Sequence, residues 1–103
     1  MTSETPGPKR TDGWVYVLSN PAWPGYVKVG SSLDARDRLR SYQTSSPFRD
    51  YTLECLVQVP DRRGFERSLH TALEGHRVGH TEWFRVHPQD VRNILNDMNK
   101  ELP

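Results

Sequence analysis

At 103 residues, 34% hydrophobic and 26% charged, the chain has the size of one modest domain with one core, and its composition excludes a disordered chain. No apolar run approaches the roughly 20 residues of a membrane span, and the opening MTSETPGPKR lacks the apolar stretch of a secretory signal, so an intracellular, cytoplasmic setting without a membrane partner is expected. The net charge of +1 does not announce a nucleic-acid binder, but eleven of the fourteen cations are Arg, whose planar fork suits phosphate oxygens.

Residues 1–12 hold no large apolar group and read as a flexible leader, with a single domain over 13–103. WVYVL at 14–18 and YVKVG at 26–30 are aromatic and β-branched, hence strands, and SNPAWPG between them forces a loop. The short connection implies an antiparallel hairpin. Alternation puts Val15, Val17, Val27 and Val29 toward a core, with Tyr16 and Lys28 on the opposite face, where one register sets them side by side.

Ser31 or Ser32 is expected to cap a helix from about Leu33 to Tyr42, with Ala35, Leu39 and Tyr42 on its apolar side. A third strand spans 51–59, with Leu53, Cys55, Val57 and Val59 sharing a face. Cys55 is the single cysteine, so no internal disulfide forms, and it reads as a small buried hydrophobe. Pro60 and Asp61 open a second helix running to about Gly75, with Phe65, Leu69, Ala72 and Leu73 inward. Residues 82–86, EWFRV, are too short to assign. Pro88 suits the first turn of a last helix over 88–101, whose stripe is Val91, Ile94, Leu95, Met98 and Leu102. The expected fold is α/β (α+β): a small three-stranded sheet with an N-terminal antiparallel hairpin, flanked by three helices.

Several residues carry chemistry in a suggestive order. Trp14, Val15 and Tyr16, with Gly13 one place early, precede Lys28, Val29 and Gly30. Arg38 and Tyr42 follow four apart on the first helix. Glu66 sits in FERSLH with His70 one turn on, and Glu82, Trp83 and Phe84 close the series. This ordered set resembles the GIY-YIG nuclease superfamily, and within it the small phage-associated branch, over about residues 13–86; each half-motif alone is weak.

The resemblance implies an endonuclease that hydrolyses DNA phosphodiesters with Mg²⁺ or Mn²⁺. Glu66 would be the metal ligand, Arg38 the phosphate grip and Tyr16 the group activating water, with Lys28, Tyr42 and His70 completing the catalytic set. The chemistry asks for these types independently: a hard cation takes carboxylate oxygen, a guanidinium makes charge-assisted bonds to phosphate, and developing charge must be stabilised. A phenol with a pKa near about 10 is a poor base at neutral pH. Lys28 stands where the wider superfamily has a second Tyr, and a cation beside Tyr16 would favour phenolate; alternatively it contacts DNA backbone or solvent.

Superfamily members also carry an Asn after the metal-binding helix. Residues 76–86 contain none, so either His80 or Glu82 fills a structural role there or the site is impaired. Arg36, Arg40 and Trp23 are candidate substrate contacts, Trp23 by stacking on a base or by covering the sheet edge. His76 and His80 lie four apart, but Gly75 and Gly79 interrupt the stretch and argue against a rigid zinc pair. Each residue also has a plainer reading: a strand aromatic for Tyr16, surface charges for Arg38 and Glu66, packing for Tyr42, a structural hydrogen bond for His70. Two other functions fit the same residues, a nucleic-acid-binding module without turnover and a protein-interaction domain. A domain this small would have low sequence specificity, or would draw it from homodimerisation or a partner.

Overall fold

The alternating valines of the first two strands build the sheet, seen in a computed structural model that describes residues 10–102. Strands β1 (Gly13–Ser19) and β2 (Tyr26–Ser32) pair antiparallel, with Tyr16 opposite Gly30 and Leu18 opposite Lys28. Helix α1 (Ala35–Ser45), strand β3 (Thr52–Val59), helix α2 (Arg62–Ala72), a 3₁₀ turn (Glu74–His76), strand β4 (Trp83–Arg85) and helix α3 (Pro88–Lys100) follow. The strand order is β3-β1-β2-β4 and every neighbouring pair is antiparallel.

The expected three-stranded sheet is therefore corrected to four strands. The fourth is Trp83–Arg85, which pairs with Tyr26–Lys28 of β2 and sets Phe84 opposite Val27. Both residues are fully buried. Three residues are too few for alternation to be read, yet they shield the edge of β2 and fill the core with one aromatic ring.

Val15, Val17, Val27 and Val29 all lie at 0% exposure, packed with Phe65, Leu69 and Leu73 and with Val91 and Leu95 of α3. Helices α2 and α3 thus cover one face. Helix α1 covers the other: its Tyr42 lies against Tyr16 and Lys28, which point away from the valines. Helix α1 itself contains no fully buried residue.

Four local expectations are corrected. Asp34, not Ser31 or Ser32, caps α1, its Oδ1 accepting from the Asp37 N–H at 3.0 Å. Leu53 pairs with Leu18 and stays 37% exposed, because the register shifts between Val17 and Leu18 and breaks the alternation at Glu54. Ala72 is exposed, at the end of α2, which stops before Gly75. Residues 1–9 of the expected flexible leader lie outside the described residues, but its last three are tied down. The Arg62 guanidinium donates to the carbonyls of Arg10 and Asp12, both at 2.9 Å, and the Thr11 hydroxyl donates to the Pro60 carbonyl at 3.0 Å.

Candidate active site

Tyr16 is held in the middle of β1 with 4% of its surface exposed. The residue across from it is Gly30, and this position needs glycine for space. A Cβ there would overlap the Tyr16 hydroxyl and come within 2.6 Å of Cζ. The Gly of the second half-motif is thus the slot in which the tyrosine of the first half-motif lies. The Tyr16 hydroxyl reaches the Tyr42 hydroxyl at 3.4 Å, and the Tyr42 ring in turn leans on Tyr51, with centroids 5.5 Å apart.

Burial is the main force on the Tyr16 phenol and pushes its pKa well above the ordinary range; the hydrogen bond to Tyr42 and the charge of Glu82 add to this, while Arg38 pulls it down. Arg38, exposed on α1, is therefore near enough to act on Tyr16.

Lys28 is engaged by a carboxylate. Its ammonium is paired with the Glu82 carboxylate at 2.9 Å, and it lies diagonal to Tyr16, opposite Leu18. It also sits 5.7 Å from the Tyr42 ring centre and 5.9 Å from that of Trp83. A cation already balanced by a carboxylate gives a neighbouring phenolate little support, and the phenol moves the opposite way. Of its neighbours, the one Lys28 pairs with is Glu82.

Glu66 and His70 occupy one turn of α2, with side chains 16% and 14% exposed and His70 Nε2 3.4 Å from the Glu66 carboxylate. The Ser31 hydroxyl donates to the other oxygen of that carboxylate. His70 Nε2 also lies 3.2 Å from the Val29 carbonyl. A carbonyl only accepts, so the ring carries its proton on Nε2 and bridges β2 to Glu66. This is a positioning contact.

The resemblance implies that Tyr16, Arg38 and Glu66 act at one site, but the candidate residues instead gather in two groups on opposite faces of β2. Tyr16, Lys28, Arg38 and Tyr42 belong to the α1 side; Glu66 and His70 belong to the α2 side. The groups meet at consecutive residues, since Gly30 receives Tyr16 on one face and Ser31 holds Glu66 on the other. Along β2, strand β4 pairs with Tyr26–Lys28, and the Glu82 carbonyl takes the Val29 N–H at 3.0 Å. Residues 30–32 of β2 extend past β4, so the two faces adjoin around that end of the strand.

Arg36 and Arg40 are not gathered in. Two residues from Arg38 is roughly 200° around a helix, and Arg40 pairs with Asp37 at 3.2 Å on the solvent side. Trp23 stands apart as well, 50% exposed against Trp83. Sequence reasoning missed Ser31 as the partner of Glu66 and Tyr51 behind Tyr42. It singled out Glu82 without its partner. The usable signal for Ser31 was its parity with Val29, which sends its side chain to the face that α2 covers.

Residues 13–99 match the T5orf172 domain. A protein of Escherichia phage T5 that bears the name "Putative endonuclease" is 32% identical over 101 residues, covering 86% of this chain and 34% of that protein. The chain spans about a third of the length of that relative. No solved structure matches it.

Proposed function

The chain belongs to the T5orf172 domain family, and from that premise we propose that it is a GIY-YIG-type endonuclease hydrolysing DNA phosphodiesters around the end of β2 that β4 leaves unpaired. The name of the phage T5 relative supports the nuclease reading. The observation that carries it is the junction at Gly30 and Ser31, where the Tyr16 hydroxyl and the Glu66 carboxylate approach one stretch of backbone from its two sides. A strand of nucleic acid wrapped over that end would touch both.

Glu66 fits a divalent ion. Each of its oxygens has one protein neighbour, Ser31 or His70, and so keeps a further lone pair. Among the described residues no three His, Cys, Asp or Glu side chains gather, so a Mg²⁺ or Mn²⁺ ion would be held by one carboxylate and its own waters. When bound, such an ion stabilises charge on the phosphate and acidifies bound water.

The chain's own groups do the rest. Arg38, exposed and cationic, holds the phosphate by charge-assisted hydrogen bonds. Tyr16, kept protonated by its burial, uses its hydroxyl to orient the attacking water, and Tyr42 fixes the direction of that hydroxyl. His70 and Ser31 hold the Glu66 carboxylate in place.

A second reading is favoured by the same Tyr16 environment: a nucleic-acid-binding domain without turnover, its phenol too high in pKa to serve as base and its Lys28 neutralised by Glu82. One experiment separates them. The purified chain and its Glu66→Ala variant are incubated with single- and double-stranded DNA in Mg²⁺, Mn²⁺ or EDTA. Cleavage by wild type with metal, absent in EDTA and in the folded variant, supports the enzyme. Binding with no cleavage under any metal supports the second reading. Cleavage that persists in EDTA removes the metal role given to Glu66.

A further inference from the structure

The face that carries Tyr16 and Lys28 continues, on β4, into Trp83, which pairs with Lys28 and so points the same way. Against Trp83 rests Trp23, with ring centres 5.4 Å apart and planes at 64°. Such an edge-to-face contact leaves ring surface open, and Trp23 is 50% exposed.

The exposure is not looseness. The Asn20 side chain, 5% exposed, donates to Asp50 at 3.1 Å and accepts from the Ala22 N–H at 2.9 Å. The Trp23 N–H donates to the Asn20 carbonyl at 2.9 Å, and the Tyr26 N–H to the Trp23 carbonyl at 3.3 Å. Pro21 and Pro24 fix φ on either side. Trp23 is therefore an exposed indole on a tied-down loop, so a ligand meeting it has little ordering cost to overcome. Trp23 also walls an open cleft of about 580 Å³ with Pro21, Pro24, Tyr26, Arg85 and His87. That is within the usual range for small-ligand sites.

The Lys28 ammonium beside Trp83 is already balanced by Glu82, which leaves the exposed Arg85 guanidinium as the cation lining this cleft. Beside it, the open ring surface of Trp23 is available to bind with. Bases in a continuous duplex show only their edges, in the grooves; a ring face is offered only by an unstacked base.

Resting on the nuclease reading above, we propose that Trp23, braced by Trp83, is a stacking platform for an unpaired base in this cleft. The substrate is then DNA with an unstacked nucleotide, such as a single strand, a gap or a bulge, in preference to continuous duplex. Arg38 and Tyr16 engage the backbone while Trp23 takes the base.

The test is binding in EDTA, where metal-dependent cleavage does not intervene. The full chain, Trp23→Ala and Trp23→Phe are titrated with a short oligothymidylate, the same strand with an abasic site, and a blunt duplex, at matched salt, with circular dichroism confirming each fold. Wild type should bind the oligothymidylate more tightly than the duplex. Trp23→Ala should weaken that binding by roughly 5- to 150-fold, the range for one base–aromatic stack, and Trp23→Phe should recover much of it. The slope of log affinity against log salt should not change, because no phosphate contact is removed. Tighter binding of blunt duplex, or a Trp23→Ala variant that binds the single strand like wild type, overturns the platform and leaves the nuclease reading standing. Failure to bind any of the three ligands overturns both.

Discussion

The two faces of the sheet are built on different physics. On the α2 and α3 side, four valines at 0% exposure meet Phe65, Leu69, Phe84, Val91 and Leu95 in a dry core. On the α1 side the helix buries no residue fully, and the packing of Tyr42 on Tyr16 and Tyr51 is joined by polar contacts in holding it. The Gln43 side chain donates to the Tyr51 carbonyl at 2.8 Å and accepts from the Tyr51 N–H at 2.9 Å; the Ser46 hydroxyl donates to Asp50 at 2.8 Å. Hydrophobic burial, near 25 cal/mol per Å² of apolar surface, gives the first face its share of stability. The second face spends its surface on hydroxyls, a guanidinium and an ion pair. Stability is thus drawn mainly from one face, while the candidate groups lie on both, Tyr16 and Tyr42 toward α1 and Glu66 and His70 toward α2.

The sharpest way to break that division is Phe84→Ala. The ring is fully buried between β2 and the helices, and its loss should cost about 3–5 kcal/mol by urea unfolding. Activity measured per folded molecule should fall only modestly, through the His70 ring that Phe84 packs against at 5.1 Å between centres. A folded variant that has lost its activity would show that the two faces are not separable.

On the other face, Arg38→Ala and Tyr16→Phe should each slow cleavage by about a hundredfold, ~2.7 kcal/mol in barrier. The urea midpoint of Arg38→Ala should scarcely move, since the side chain is exposed. The double variant should lose little more than either single one, because groups acting as a unit are not additive. Simple multiplication of the two losses would place them in separate steps.

Gly30→Ala sharpens the comparison from inside the α1 face. The added methyl runs into the Tyr16 ring, and overpacking of this kind costs about 1–3 kcal/mol. Because the closest clash is with the hydroxyl, Tyr16→Phe should relieve part of the cost, seen as a positive coupling in a double-mutant cycle of urea midpoints. Equal costs in both backgrounds would mean that the ring has moved out of the slot altogether.

The smallest effect at neutral pH, and one that grows with alkali, concerns Tyr16 ionisation. Its folded pKa is raised above the ordinary 10.0, chiefly by burial. A raised folded pKa contributes stability that is fully present below the unfolded pKa and is lost as pH rises through the folded one. Urea midpoints attributable to Tyr16 should hold up to about pH 10 and decline above it. The same titration of Tyr16→Phe should show a shallower alkaline decline.

Much of this organisation was legible from local pattern. Alternation placed Val15, Val17, Val27 and Val29 inward, and Pro88 marked the start of α3, because both signals act within a few residues. What stayed hidden involved choices between equal local options or distant partners. Ser31, Ser32 and Asp34 are all good helix caps. Only α2, arriving from beyond β3, decides that Ser31 turns to Glu66 and leaves the cap to Asp34. Leu53 matched the alternation, but the register shift against β1 set it across from Leu18. Lys28 had two readings until β4 brought Glu82 to it. The two-sided division of the candidate residues was readable in part from the opposite parity of Gly30 and Ser31, but not which helix would lie on which side.

The junction of Gly30 and Ser31 also acts as a proofreading device. Side chains in a strand alternate with a period of two, so a slip of β2 by one residue would turn Lys28 into the core and Val27 and Val29 toward the polar α1 side. The same slip would take the slot away from Tyr16 and the hydroxyl away from Glu66. The four valine side chains, which carry none of the candidate chemistry, therefore police its spelling: the register the core accepts is the one in which both groups are correctly addressed. Length changes can be absorbed in the loop over residues 20–25, whereas losing a single residue between 27 and 31 would scramble both faces at once.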